Sequence, residues 1–484
     1  MENSDSTKLV IPDGVTEITK FQHPSKQAIT EVYIPDSVTR IGDFAFSGCE
    51  GLTQINIPDS VKEIGKCAFS GCSSLTEIVI PEGVLSIGAN AFQRCSKLKE
   101  IHIPSSVTSI ETHFGSGLEG CEELIRLSVS PENKKYDSRN NCNAIIETAT
   151  GSLMMGCQTT VIPEGVLIIE DYAFNECSGL TGILNIPDSV VLIGESAFRD
   201  CIGLTEIRLP KGLPITGTGI PGFVKKVRYK SSSVKKIPDG VTTIRALAFC
   251  GRTDLTEIHI PEGVTQIRDF AFEGCTGLTE IHIPDSVTSI REGAFKDCTG
   301  LKEVHIPAKV TEISEKAFFN CTGLTEVVFP DSVKVIGDNA FFGCSGLTEI
   351  RIPDGVTEIS GAFQGCTGLT EIHIPEGVTE IWGFNGCTGL TEIRLPDGVT
   401  EIGRGAFQRC SGLKEIHIPD SVKEIGMLAF HECTSLTEVY IPDHVETVDS
   451  LAFKGCSGLQ AISVPKGLDL SQAGLPPQTT VIQR

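Results

Sequence analysis

The chain repeats one motif of about 23 residues along most of its length. One copy, residues 278–300, is LTEIHIPDSVTSIREGAFKDCTG, and twenty prolines from Pro12 to Pro465 mark the same step in successive copies. A motif this short buries too little apolar surface to fold alone, but stacked copies share one continuous core. The period therefore predicts a solenoid, in which a chain of 484 residues needs no large globular core.

The first half of each copy has the alternation of a β-strand. In the copy at Pro284, Ile281 and Ile283 share one side of the strand, while Glu280 and His282 share the other. Pro284 cannot donate a hydrogen bond to a neighbouring strand, so it ends the strand. Each copy is therefore expected to add one strand to a parallel sheet, with apolar side chains inward and polar side chains outward.

The second half of each copy is apolar at a different spacing. Val287 and Ile290 form a short apolar pair, and Cys298 follows the adjacent Ala294 and Phe295 by three residues. The latter spacing predicts a short helical or 3₁₀ segment. The predicted fold class is an α/β repeat solenoid of about 20 units, with a curved parallel β-sheet on its concave face and short helical, 3₁₀ and irregular segments on its convex face.

The consensus LxxIxIPxxVxxIxxxAFxxCxxL resembles the leucine-rich repeat of the BspA-like class, also called the Treponema-type leucine-rich repeat. The resemblance covers residues 8–484 and is specific, because the I-P step, the A-F pair and the cysteine recur together. It implies a right-handed solenoid of the leucine-rich repeat type with a concave parallel sheet. It also implies a bacterial surface protein, similar to those of the Bacteroidales, that binds proteins of a host or of neighbouring cells.

Edits to the repeat divide the chain. In residues 132–158, two apolar runs flank a turn that contains glycine, which predicts a β-hairpin insert. Residues 210–237 replace the A-F pair with G-I-P and align without gaps with the end of the chain, so each of two arrays closes with the same variant unit. The predicted divisions are an N-terminal capping unit 1–34, a first array 35–237, a second array 238–464 and a C-terminal capping unit 465–484.

The net charge of −22 limits the classes of partner. It argues against nucleic acid, whose phosphates require a basic face, and against an anionic membrane surface. No run of 18 apolar residues is present, so we expect no membrane insertion. The start of the chain, MENSDSTKLVIPDG, lacks the apolar stretch of a secretory signal, which favours the cytoplasm. The resemblance instead implies the cell surface or secretion, and both locations stay open.

The nineteen cysteines follow the repeat. Twelve lie 14 residues after an anchor proline, and Cys121, Cys366 and Cys387 take the same place in units of altered length. Parallel inward side chains lack the geometry of a disulfide, so we expect a row of buried free thiols that pack like small apolar residues. The cysteines outside this row are better candidates for pairing or reactivity: Cys67, Cys142, Cys157 and Cys250.

Two rows of polar side chains are expected on the outward side of the first strands. One interpretation is a solvated face whose opposite charges neutralise one another, because like charges stacked on adjacent strands repel. The other is a protein-binding strip, acidic along one side and cationic or aromatic along the other. The candidate residues, which we call the concave strip, are Glu257, His259, Glu280, His282, Glu303, His305, Arg351, His373, Arg394 and His417.

Three further features have alternative explanations. Trp382 lies where two units are shortened, and it either fills the space left by the deletions or is an exposed contact point. His259, His282 and His305 could gather a metal, and the acidic rows could hold Ca²⁺, but no segment fixes a closed coordination geometry, and we predict no metal site and no cofactor. A basic run is either a solvated edge or a docking point for an acidic partner; it comprises Lys225, Lys226, Arg228, Lys230, Lys235 and Lys236.

The motifs of common enzyme classes are absent from the sequence. It contains no G-x-S-x-G, H-E-x-x-H or P-loop, so we expect no enzymatic activity. The sequence predicts a non-enzymatic solenoid that binds proteins. The resemblance implies an adhesin-like surface or secreted protein whose partner is an extracellular-matrix or cell-surface protein of a host. The alternative is an intracellular scaffold or effector that uses the same solenoid for protein–protein interaction.

Overall fold

The chain separates into two compact units. They comprise residues 1–241 and 242–484. The computed structural model describes residues 7–20, 26–111, 117–210, 213, 218–220, 226–229 and 236–484. Most of the variant unit at 210–237 and half of the basic run therefore lie outside the described residues, and the two-array organisation with its capping units stays a prediction.

The predicted parallel-strand repeat solenoid is confirmed, with two strands per regular repeat where the sequence predicts one. The first strand precedes the anchor proline, and the second ends at the isoleucine six residues after it, as in Glu303–His305 and Glu312–Ile313. Each strand pairs in parallel with its equivalent in the next repeat, so the solenoid carries a first-strand row and a second-strand row. The isoleucine of the short apolar pair therefore lies in the second strand, where its side chain faces the core.

The unit of residues 1–241 contains both rows. Its first-strand row comprises Lys8–Val10, Glu31–Tyr33, Gln54–Asn56, Glu100–Ile103, Arg126–Val129, Gly182–Asn185, Leu204–Leu209 and Lys226–Tyr229. Its second-strand row comprises Glu17–Ile18, Arg40–Ile41, Glu63–Ile64, Ser86–Ile87, Ser109–Ile110, Ile168–Ile169 and Leu192–Ile193.

The segment predicted as a hairpin insert joins the second-strand row. Ala144–Glu147 pairs antiparallel with Tyr136–Asp137 on one side and with Ser152–Gly156 on the other. Ser152–Gly156 then pairs in parallel with Ile168–Ile169, which resumes the repeat. The insert therefore extends a ladder of the solenoid, which supplies partners for its backbone groups.

The unit of residues 242–484 is the more regular of the two. Its first-strand row comprises Glu303–His305, Glu326–Val328, Glu349–Arg351, Glu371–His373, Glu392–Arg394, Glu415–His417, Glu438–Tyr440, Ala461–Val464 and Thr480–Gln483. Its second-strand row comprises Thr243–Ile244, Gln266–Ile267, Ser289–Ile290, Glu312–Ile313, Val335–Ile336, Glu358–Ile359, Glu380–Ile381, Glu401–Ile402, Glu424–Ile425 and Thr447–Val448.

The expected helical or 3₁₀ segment around the A-F pair is wrong. Among the described residues, 3₁₀ helix occurs only at Lys26–Ala28 and Arg139–Asn141. In the copy at Pro284, Gly293 and Asp297 have φ of 57° and 58°, and a right-handed helix cannot continue through such residues. Alternate N–H groups instead donate to the next repeat, as Phe295 does to a carbonyl at 2.8 Å, and the others close turns within their own repeat. The A-F segment is therefore a series of turns that forms a third inter-repeat ladder.

The interior consists of aligned rows of identical side chains. In the unit of residues 242–484, ten phenylalanines stack from Phe249 to Phe453. The ring centroids are 4.8 Å apart at Phe249–Phe272 and 5.9 Å apart at Phe363–Phe384, both in offset-stacking range. The stack continues through the shortened units, because their missing residues precede the phenylalanine. Each fully buried phenylalanine stabilises the fold by about 1.5–3 kcal/mol.

The predicted row of buried free thiols is confirmed. All nineteen cysteines are free, and in the row only Cys177 is half-buried rather than buried. Most thiols of the row donate to the phenylalanine carbonyl of the preceding repeat, as Cys321 does to Phe295 at 3.1 Å, whereas Cys177 donates to Gly156 at 3.7 Å. Of the four cysteines outside the row, Cys250 is exposed and the other three are buried.

Candidate functional site

All ten residues of the concave strip are exposed, and all lie in the unit of residues 242–484. The six from Glu303 to His417 stand on strands whose central side chain is buried, as in Glu371–His373, where Ile372 points inward and both flanking residues point outward. The other four lie outside the strands but flank the buried Ile258 and Ile281 in the same way. This exposed–buried–exposed pattern follows from the two-residue period of a strand. The structure therefore places two polar rows on one surface, as the sequence pattern implies.

The strand register aligns the two polar rows across neighbouring repeats. Glu303 lies opposite Glu326, and His305 lies opposite Val328 in the same pair of strands. Further along, Arg351 pairs with His373 and Arg394 pairs with His417. His259 and His282 also form a parallel bridge. One side of the concave strip is thus acidic, and the other carries imidazole and guanidinium groups.

Some equivalent residues in the unit of residues 1–241 neutralise one another. Ion pairs among the described residues of its first-strand row include Lys8–Glu31 at 2.8 Å, Arg126–Glu100 at 3.8 Å and Arg208–Glu206 at 2.8 Å. His102 Nδ1 also lies 3.0 Å from Ser128 Oγ. This part of the surface has the self-neutralising character of a solvated face.

The concave strip differs from this arrangement. In the described part of the chain, Arg351, Arg394 and His417 make no ion pair or side-chain hydrogen bond. His373 has one distant carboxylate, with Nε2 at 3.9 Å from Asp354 Oδ1. These donors are therefore available to a partner, although each stands near glutamates of the neighbouring row.

The surface of the concave strip is not flat. A depression of about 610 Å³ is lined by Glu326, Glu349, Arg351, Glu371 and His373 among others. A second depression, of about 640 Å³, shares Glu371 and His373 with the first and adds Arg394 and His417. The two adjoin, so Arg351, His373, Arg394 and His417 line one extended concavity.

The described residues give no support to a metal centre. Across residues 7–20, 26–111, 117–210 and 236–484, no group of three or more His, Cys, Asp or Glu side chains is placed to hold an ion. His259, His282 and His305 occupy equivalent positions in successive repeats, and His259 forms a parallel bridge with His282, so their side chains stand side by side and do not converge.

Trp382 packs beside the shortened units and is also partly exposed. Its indole covers the backbone of Gly403, since a Cβ built at Gly403 would lie 2.6 Å from ring carbon Cδ2. The side chain is nevertheless partly exposed, and its Nε1 donates to Glu380 at 3.3 Å. It lines a depression of about 720 Å³ on the second-strand row, away from the concave strip.

Sequence analysis missed the acidic part of the second-strand row. Glutamate occupies the same position in four consecutive repeats, at Glu358, Glu380, Glu401 and Glu424, and the last three are in register. The signal in the sequence is a glutamate five residues after the anchor proline in each of these four repeats.

Two other predictions concern the surroundings of the site. None of the described helices is long and apolar enough to cross a membrane.

Of the basic run, the structure describes the backbone of Lys226–Tyr229 and the side chain of Lys236, which pairs with Asp239 at 3.0 Å. Lys225, Lys230 and Lys235 lie outside the described residues.

The comparisons with known proteins identify a repeat family. A family model described as the BspA type leucine rich repeat region, with six copies, matches residues 1–125, 154–220, 225–348, 294–383 and 382–473. No curated protein matches the chain.

The solved structures similar to the chain include two bacterial leucine-rich repeat proteins. A leucine-rich repeat protein from Bacteroides ovatus is 25% identical, with 100% of this chain and 94% of that chain covered and a TM-score of 0.35. A leucine rich cell surface protein from Faecalibacterium prausnitzii is 27% identical, with 66% of this chain and 83% of that chain covered and a TM-score of 0.36. The family model matches well over half of the sequence, and the chain belongs to the BspA-type leucine-rich repeat family.

Proposed function

We propose that this protein is a non-enzymatic, adhesin-like protein that binds a protein of a host or of neighbouring cells through its concave strip. The cell surface or the extracellular medium is the proposed location, because the repeat type resembles that of bacterial surface proteins. Leucine-rich repeat proteins commonly take part in protein–protein interactions, and the family model that matches this chain describes a repeat region rather than an enzyme class.

The observation that carries the proposal is the unpartnered basic side of the concave strip. Arg351 and Arg394 are exposed, make no ion pair within the described chain, and face a concavity shared with His373 and His417. Arginine is enriched among the residues that dominate binding energy, because its planar group donates several hydrogen bonds at once. The adjacent glutamates would select partners with matching charge.

The proposal is tested with a triple variant, Arg351→Thr, His373→Thr and Arg394→Thr. Threonine suits an exposed strand position, so the fold should be retained. Immobilised wild-type protein and variant would be compared for binding to a panel of purified extracellular-matrix proteins by surface plasmon resonance. Loss of two or three contact residues should weaken capture at least about tenfold.

A matched control removes cations elsewhere on the same unit. Lys309→Thr, Lys423→Thr and Lys454→Thr change exposed side chains outside the concave strip. The control should bind as the wild type does. Equal loss in both variants would show a non-specific charge effect, and unchanged binding by the strip variant would contradict the assignment of the concave strip.

A further inference from the structure

The depression beside Trp382 arises from the two shortened repeats. Successive anchor prolines are 22 residues apart at Pro353–Pro375 and 21 apart at Pro375–Pro396. Here the repeats pack backbone against backbone, since a Cβ built at Gly383 would lie 2.1 Å from the Cα of Gly361. The missing side chains leave an open volume of about 720 Å³, which we call the tryptophan groove.

The charged lining of the tryptophan groove is mostly acidic. Its carboxylates are Asp338, Glu358 and Glu380, and its one guanidinium among the described residues is Arg404. These side chains are exposed, so a partner can reach them. An anionic ligand, such as a phosphate, a nucleic acid or an acidic glycan, would be repelled by this surface.

The acidic character continues along the second-strand row, where Glu380, Glu401 and Glu424 form no ion pair within the described part of the chain. Glu380 lies opposite Glu401, and Glu401 lies opposite Glu424. Desolvation by burial, followed by repulsion from Glu424 and Glu380, raises the pKa of Glu401. The repulsion is a property of the free protein that a bound cation would relieve.

The same row is neutralised elsewhere in the chain. In the unit of residues 1–241, Arg40 stands between Glu17 and Glu63 and forms an ion pair with both, with Nη2 at 3.0 Å from Glu63. Three successive repeats there present acid, base and acid, while the repeats at the tryptophan groove present acid after acid. Like charges in register destabilise a sheet, so the arrangement at the groove is one that a positively charged partner would stabilise.

Trp382 supplies the second element of a cation site. Its Nε1 donates to Glu380, which fixes the ring beside a carboxylate. The face of an indole ring attracts a Lys or Arg cation electrostatically, and tryptophan is the strongest of the aromatic residues in this respect. A cation over the ring would also lie near the carboxylates of the groove.

We propose that the tryptophan groove docks a basic segment of a partner protein, with an arginine or lysine side chain held against Trp382 by Glu358 and Glu380. Gln364, Asn385 and Gln408 supply amide donors and acceptors for the backbone of that segment. A neutral glycan could use the ring and these amides, but it would leave the carboxylates without a counter-charge. This site is separate from the concave strip and does not depend on the function proposed for it.

The single tryptophan makes the groove directly observable, because all indole fluorescence of the protein reports on Trp382. The probe is an acetylated and amidated peptide of alternating serine and arginine with three arginines. The control peptide replaces each arginine with the neutral isostere citrulline. The arginine peptide should change the Trp382 emission in a saturable way that weakens with added salt, and the citrulline peptide should not.

Variants distinguish binding in the tryptophan groove from non-specific attraction of the peptide to the negative charge of the protein. Glu358→Gln with Glu380→Gln should weaken peptide binding about tenfold, and removal of their repulsion should leave the fold intact. Glu303→Gln with Glu326→Gln removes equal charge from the first-strand row and should bind as the wild type does. Trp382→Ala, followed by calorimetry, should also weaken binding, while the strip variant Arg351→Thr, His373→Thr and Arg394→Thr should retain it.

Several results would overturn the proposal. These are an unchanged emission with the arginine peptide, an equal response to the citrulline peptide, or equal losses in both glutamate pairs. A saturable response to a neutral oligosaccharide such as maltotetraose, without one to the arginine peptide, would assign the groove to glycans instead.

Discussion

The core of this solenoid is built from side chains that recur at the same position in successive repeats. The thiol of Cys344 donates to the carbonyl of Phe318 at 3.2 Å, and burial raises the pKa of that thiol to about 12. A thiol with so high a pKa stays protonated at neutral pH, so it keeps its hydrogen bond and is a poor nucleophile. Cysteine recurs in the row because it is small, apolar and able to satisfy one buried carbonyl.

Cys250 should be the first cysteine to react with an alkylating agent. It is exposed, and its Sγ lies 3.8 Å from Glu273 Oε2. Desolvation and then the Glu273 carboxylate raise its pKa, so the reactive thiolate becomes more abundant as pH rises through that value. We expect the rate of iodoacetamide labelling at Cys250, measured by mass spectrometry, to increase steadily from neutral to alkaline pH.

Two neighbours of Cys250 provide a matched pair of variants with opposite signs. Glu273→Gln removes a group that raises the thiol pKa, so labelling at pH 8 should become at least about threefold faster. Lys296→Gln removes the cation that lowers this pKa, so labelling should become slower. Faster labelling of a cysteine in the buried row, or slower labelling of Glu273→Gln, would contradict this explanation.

Three ladders of inter-repeat hydrogen bonds hold a regular repeat in place. Two residues of such a repeat adopt a left-handed backbone conformation. The position nine residues after the anchor proline has φ of 57° at Phe44, 56° at Phe270 and 59° at Leu451. The position four residues later also has positive φ, for example at Asp297. These residues turn the chain so that the A-F pair points inward, and several of them are not glycine.

Leu451→Gly should stabilise the protein by about 0.5–1 kcal/mol. A leucine in the left-handed region is strained by roughly 1–2 kcal/mol, and glycine relieves this strain while losing more backbone entropy on folding. The Leu451 side chain is partly exposed, so little packing is lost. Urea denaturation followed by circular dichroism measures the change.

Leu451→Ala is the control, because it removes the same side chain but keeps the left-handed strain. It should give no gain in stability. If the alanine variant is stabilised as much as the glycine variant, the effect comes from the loss of an exposed apolar side chain and not from the backbone.

The repeat pattern predicts the strands and the core well but not the turns. The spacing predicts the buried positions correctly, because every repeat of a solenoid places the same positions on the same side. In the copy at Pro284 these are Ile281, Ile283, Phe295 and Cys298. The A-F segment was predicted as helical because Phe295 and Cys298 have helical spacing. The left-handed residues on either side have no common residue type, so the sequence carries no consistent glycine signal for them.

The candidate sites were predictable to different degrees. The outward positions of the concave strip follow from alternation, and the strand register aligns them as expected. The tryptophan groove was not predictable, although the deletions before Phe363 and Phe384 are visible in the sequence. A deletion can bring neighbouring repeats closer together or leave a depression on the surface. Only the structure, in which the backbones of Gly361 and Gly383 are in close contact beside the tryptophan groove, shows the outcome.

The full chain carries its charge unevenly. The net charge of −22 is spread over repeats in which acidic positions recur. In the unit of residues 242–484, this produces an acidic and basic pair of rows on one surface and an uncompensated acidic row on another. Long solenoids suit such divided surfaces, because each repeat contributes one residue to every row.

The central claim, that the concave strip contacts the bound protein, is tested most directly by site-specific photocrosslinking. A benzophenone side chain would be placed at His282 or Arg394 in the concave strip, or at Glu312 in the second-strand row as a control. The captured matrix protein should crosslink from His282 and Arg394 and not from Glu312. Crosslinks from Glu312 alone would contradict the account and place the binding surface on another face of the solenoid.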